Sequence, residues 1–112
     1  MMIRKQDNWG FLIVWQFRVR PPMKRSFLHA YGNAGEWVRF FSQDRHYIGT
    51  ELTHDLKTPG TYLTLDFWTS ERAYENFKRR NAAGYETIDA KCEALTESER
   101  EIGRYLRVRQ KN

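Results

Sequence analysis

Asp66 sits within Tyr62-Leu63-Thr64-Leu65-Asp66-Phe67-Trp68, where Tyr62, Thr64, Asp66 and Trp68 alternate with Leu63, Leu65 and Phe67. In an extended chain these two sets point to opposite faces. The run from Phe11 to Arg20 alternates as well: Phe11, Ile13, Trp15, Phe17 and Val19 form a dry set, and Gln16, Arg18 and Arg20 mark the polar side. With Leu63, Leu65 and Phe67 as the dry set of the other strand, Asp66 can pair with Arg18 or Gln16 if the two strands are neighbours. A charged pair flanked by Trp68 and Tyr62 is neither ordinary solvent face nor ordinary core, and it suits the lining of a small-molecule cavity. The plain reading is a structural ion pair, in which Arg18 lowers the Asp66 pKa and makes it a poor base near neutrality.

Other chemistries find few residues to carry them. His29, His46 and His54 lack metal-ligand spacing, and no Cys or carboxylate cluster joins them, so no metal is expected. No Ser/His/Asp or Cys/His arrangement can be assembled, and neither GxGxxG nor a P-loop occurs, so hydrolase and nucleotide chemistry recede. Cys92, the one cysteine, reads as a small buried hydrophobe, and Trp15 and Trp37 read as core. The 112 residues carry 19 Lys plus Arg against 14 Asp plus Glu, a net charge of +5, with 40% hydrophobic and 15% aromatic residues. That describes one mildly basic globular domain over 1–112, with an ordered core from about 11 to 109 and frayed ends at 1–8 and 110–112. Phe11 to Trp15 is the longest apolar run, far short of the ~20 residues a membrane span needs, so a soluble cytoplasmic protein with no membrane partner is expected.

The positioning elements follow from periodicity and breakers. Pro21-Pro22 end the first strand and open a helix carrying Phe27, Leu28, Tyr31, Trp37, Phe40 and Phe41, interrupted at Gly32 to Gly35. A second strand runs from His46 to Leu56, with Ile48, Leu52 and Leu56 on one face and Tyr47, Glu51 and Thr53 on the other. Lys57-Thr58-Pro59-Gly60 has the chemistry of a type II turn leading into Tyr62 to Thr69. Ser70 caps a helix that turns Ala73, Phe77, Gly84, Ile88, Cys92 and Leu95 inward, with an irregularity near Gly84. Thr96-Glu97-Ser98-Glu99 matches a capping box and predicts one more helical turn before a last strand from about Ile102 to Arg109. The order βαββαβ implies an α+β ferredoxin-like fold, an antiparallel four-stranded sheet with its helices on one face. Its open face, taken to hold Tyr62, Asp66 and Trp68, is best hidden by a second copy in a homodimer that encloses a cavity.

Four segments carry a family resemblance: Trp15 to Val19, Tyr31-Gly32 with Gly35-Glu36-Trp37, Tyr47 to Leu52, and Tyr62 to Ser70. Together they resemble antibiotic-biosynthesis-monooxygenase-like proteins from about Phe11 to Val108, with Trp68, Ser70 and Glu71 at a strand-to-helix junction as the most specific part. The resemblance implies a dimeric α+β barrel and an oxygenase without a cofactor that acts on a planar phenol, quinol or anthrone. Such a site needs an apolar slot, a proton acceptor and donors that steady an oxyanion. The resemblance assigns these to Trp68, Tyr62 and Tyr47 for the slot, Asp66 or Glu51 for the base, and Gln16 or Arg18 for the donors. The family's haem-degrading branch is less similar, since no His occurs between Ser70 and Leu95. Two alternatives remain: a non-catalytic ligand-binding or dimerisation module, and an RNA-binding βαββαβ domain. The latter is disfavoured because Asp66 interrupts the strand that would stack bases.

Overall fold

The computed structural model describes residues 8–109. The expected frayed ends therefore lie outside the described residues, except for Asn8. Strand β1 (Phe11–Val19) leads through a 3₁₀ turn at Pro21–Met23 into α1 (Lys24–Tyr31) and α2 (Glu36–Phe41). The hairpin of β2 (Tyr47–His54) and β3 (Thr61–Trp68) follows, then α3 (Glu71–Arg80), α4 (Ala82–Cys92), a 3₁₀ turn at Glu93–Leu95 and β4 (Thr96–Leu106). The sheet order is β2-β3-β1-β4 with every pair antiparallel, the ferredoxin-like arrangement.

Local stereochemistry accounts for most boundaries. Gly60 has φ +88°, and Thr61 N–H donates to Thr58 O at 3.1 Å, which makes the hairpin a type II turn around Pro59-Gly60. The expected break at Gly32 to Gly35 separates α1 from α2. There Gly35 packs so tightly on the end of α1 that a Cβ would collide with the carbonyl oxygens of His29 and Ala30. Ser70 Oγ accepts from Ala73 N–H at 3.1 Å and caps α3. The second irregularity falls at Asn81, between α3 and α4, three positions before the expected Gly84.

Three expectations are overturned. Thr96 to Glu99 form no helical turn but are the first part of β4, because pairing with β1 (Phe17 opposite Glu99, Val19 opposite Thr96) outweighs the local cap signal. The second strand stops at His54, so Leu56 lies in the turn and is 92% exposed. The third concerns faces. In β1·β3 the opposed pairs include Phe11 with Trp68, Ile13 with Asp66, Trp15 with Thr64 and Phe17 with Tyr62. Opposed residues share a face, so Tyr62, Thr64, Asp66 and Trp68 lie beneath the helices, and Leu63, Leu65 and Phe67 lie on the open side. A register shift at Ile48 likewise breaks the alternation of β2, and Tyr47, Thr50, Leu52 and His54 oppose this covered set.

The core between sheet and helices is mainly aromatic. Trp68, Tyr74, Phe11, Phe27, Phe77 and Ile13 are each less than 2% exposed. Burial of each side chain of this size contributes about 1.5–3 kcal/mol. Trp68 is enclosed by Phe41, Tyr47, Tyr74 and Phe77 at ring separations of 5.3–5.6 Å.

Candidate active site

A cavity lies inside the chain, between the covered face of the sheet and the helices. Trp15 and Phe17 of β1, Thr50 of β2 and Thr64 and Asp66 of β3 supply its sheet wall. Tyr31, Trp37, Tyr74 and Tyr85 close it from the helices, and Asp89 and Glu99 stand where α4 meets β4. Its volume is about 40 Å³, and about 460 Å³ with the open space at its mouth. At ~10–15 Å³ per water, the inner part holds about three or four water-sized groups.

Asp66 is the buried carboxylate of this wall, 7% exposed, with Ile13 opposite on β1 and Thr50 opposite on β2. Thr50 Oγ1 donates to Asp66 Oδ1 at 2.6 Å. With that proton committed, the Tyr47 hydroxyl donates to Thr50 Oγ1 at 2.5 Å. Loss of water around the carboxylate pushes the Asp66 pKa up to about 6, and the Thr50 hydrogen bond opposes the rise. Burial also raises the phenols of Tyr31, Tyr74 and Tyr85 well above their ordinary range, so they are protonated near neutrality and can donate. Glu99 is raised by burial first and then by the charges of Asp89 and Glu93. The indole Nε1 of Trp37 and that of Trp68 are buried without a hydrogen-bond partner. Tyr31 and Cys92 lie beside Trp37, but neither reaches hydrogen-bonding geometry with its Nε1.

The residues expected to form one site are dispersed, and only Asp66 lines this cavity. Tyr47 reaches it through Thr50. Trp68, 0% exposed, is core beneath its own helices and not an open-face platform. Tyr62 is also buried, stacked on His54 at 4.6 Å. Gln16 and Arg18 lie on the opposite face of the sheet, beside a separate hollow with Arg100 and Thr61. Arg18 pairs with Glu97 at 3.5 Å and donates to Thr61 Oγ1 at 3.3 Å, while Gln16 accepts from Arg100 at 3.0 Å. The expected Asp66–Arg18 pair is therefore absent, and the Asp66 pKa is raised where that pair would have lowered it. Glu51 opposes Leu65 on the open side and is exposed.

Sequence reasoning missed Trp15, Trp37 and Thr50 as cavity residues, together with the tyrosines of the helices and the carboxylates of the mouth. One signal was present. Thr64 and Asp66 are polar positions in a central strand on the parity of Trp68, and buried polar groups in that setting mark a cavity or a network. Cys92 matches its reading: it is 4% exposed, and burial raises its thiol pKa.

The chain's fold is similar to several solved structures. A cofactor-independent oxygenase, SnoaB of Streptomyces nogalater, superposes with a TM-score of 0.62 at 18% identity, over 92% of this chain and 96% of that one. A protein of Deinococcus radiodurans provisionally described as an antibiotic biosynthesis monooxygenase gives 0.70 at 12% identity, over 91% and 96%. A conserved protein of Methanosarcina mazei Go1 gives 0.65 at 13% identity, over 92% and 97%. These identities establish likeness of fold alone. No curated protein matches the chain. The family profile for antibiotic biosynthesis monooxygenase matches residues 10–84, from the start of β1 into α4 and across Asp66 and its hydrogen-bond partners, and the chain belongs to that family.

Proposed function

We propose that this protein is an oxygenase of the cofactor-independent type that oxidises a small planar phenol or quinol in the cavity beneath its helices, working as a homodimer joined through the open sheet face. The observation that carries this reading is the Asp66 carboxylate, buried in an aromatic-lined cavity, with a pKa of about 6. A base titrating there is mostly ionised at neutral pH and is still basic enough to take a proton from a substrate. That proton passes to Asp66 and leaves an electron-rich ring anion. The anion transfers electrons to molecular oxygen, one oxygen atom enters the ring, and the other leaves as water with the substrate's hydrogens. The Trp37 Nε1–H and the tyrosine hydroxyls are the donors available to steady the developing oxyanion. The inner space is smaller than a ring, so a substrate places its hydroxyl there and its ring toward the mouth, where one ring fits more readily than a fused polycycle.

Oxygen uptake with hydroquinone-type substrates tests the reading. Asp66→Asn is expected to lower kcat/KM by about 10²–10⁴. Equal rates in wild type and variant remove Asp66 from the mechanism. Substrate binding without oxygen consumption identifies a ligand-binding module.

A further inference from the structure

The chain carries a net charge of +5, yet among the described residues those with charge that line its cavity are acidic: Asp66 in the wall and Asp89 and Glu99 at the mouth. The nearby cations already have partners and do not line the cavity. Lys91 pairs with Glu36 at 2.7 Å, and Arg104 binds Glu71, Glu75 and Glu101 at 2.5–3.0 Å. Lys78 lies over the rings of Tyr74 and Tyr85 at 5.3 and 4.8 Å and is not a lining residue. Those contacts, with Arg104 over Tyr74 at 5.6 Å, hold both cations on the tyrosine rings from outside the lining.

Two further atoms point to a ligand. Asp66, more than nine-tenths buried, accepts from Thr50 through Oδ1, and a carboxylate has acceptor capacity beyond one hydrogen bond. Trp37, 8% exposed, has an indole N–H without an acceptor. A ligand hydroxyl offers what each can use, an acceptor for Trp37 and a donor for Asp66. At the mouth, Glu99 is surrounded by the like charges of Asp89 and Glu93, an arrangement that a cationic substituent relieves.

We infer that the cavity selects a one-ring phenol bearing a protonated amine, with the hydroxyl toward Asp66 and Trp37 and the ammonium between Asp89 and Glu99. This rests on the cavity being the binding site proposed above and names its substrate class.

Three probes sharing one ring separate the alternatives: tyramine as the cation, p-cresol as the neutral compound and 3-(4-hydroxyphenyl)propionate as the anion. Each is titrated against the full chain, with quenching of tryptophan fluorescence as the readout. Tyramine is expected to bind about tenfold more tightly than p-cresol, and the propionate about tenfold more weakly. In the double variant Asp89→Asn, Glu99→Gln, whose two positions are at least partly exposed, the preference for tyramine over p-cresol is expected to fall from about tenfold to none. Circular dichroism confirms that the variant folds. If p-cresol or the propionate binds as well as tyramine, or if the double variant keeps the full preference for tyramine, the inference fails and the cavity stands as the site. If none of the three binds, the site itself is wrong and the inference falls with it.

Discussion

Asp66 is a carboxylate moved out of water with a single hydroxyl for company. Its folded pKa of about 6 lies above the ordinary 3.8, so between those values the folded chain holds a proton that the unfolded chain has released. Stability therefore falls as pH rises through that window, and above it the full cost, roughly two pH units or about 3 kcal/mol, remains. Asp66→Asn keeps an acceptor for Thr50 and removes the buried charge. It is expected to raise the unfolding free energy by about 1–3 kcal/mol near pH 8 and by almost nothing near pH 4, as read by thermal or urea denaturation. A gain that is the same at both values would remove ionisation as its cause. The activity of the wild type should rise with pH through about 6, where Asp66 becomes ionised. Thr50→Val deletes the hydrogen bond that favours the charged form, so it should move this limb to higher pH, as a pH–rate profile would show.

At the level of elements, short-range chemistry and long-range pairing compete, and the outcome differs along the chain. Pro59-Gly60 succeed locally: only a residue at ease with φ +88° closes the β2–β3 hairpin in this turn type. Gly60→Ala is expected to cost about 1 kcal/mol of stability, measured by denaturant titration, with the cavity unaffected. At Thr96 to Glu99 the local signal loses. A capping box contributes about 1 kcal/mol, whereas the same residues in β4 complete the ladder along β1 opposite Val19, Arg18 and Phe17. That pairing also brings Glu99 to the cavity mouth. Long-range pairing also sets the faces of β4, where a register shift between Val14 and Trp15 skips Ile102 and reverses the alternation.

For the molecule as a whole, the open side of the sheet carries Leu12, Val14, Leu63, Leu65 and Phe67, with the Trp9 ring edge-on to Phe67 at 5.2 Å. Around them lie polar contacts such as Gln16–Arg100 and Arg18–Glu97. An aliphatic centre with a polar rim suits a second copy of the chain. Sedimentation at micromolar protein is expected to show two copies for the wild type and one for Leu65→Lys. A wild type that sediments as a single copy would remove the dimer from the proposed function. The cavity lies on the other side of the sheet and is lined by one chain, so a single-copy Leu65→Lys should still bind ligand there.

Much of the fold was legible because it depends on short-range stereochemistry: the βαββαβ order, the break at Gly32 to Gly35, the Ser70 cap and the Pro59-Gly60 turn each require only neighbouring residues. Asp66 was legible as a carboxylate out of place among apolar neighbours, because an acid in the middle of a central strand is conspicuous. Its surroundings were not. Period-two alternation shows that β3 has two faces, but not which one the helices cover when one face is Leu63, Leu65 and Phe67 and the other includes Tyr62 and Trp68. Both sets are apolar enough to be buried. Only the register with Ile13 and Phe17, under helices rich in aromatic rings, puts Trp68 and Asp66 inside the chain and separates Asp66 from Arg18.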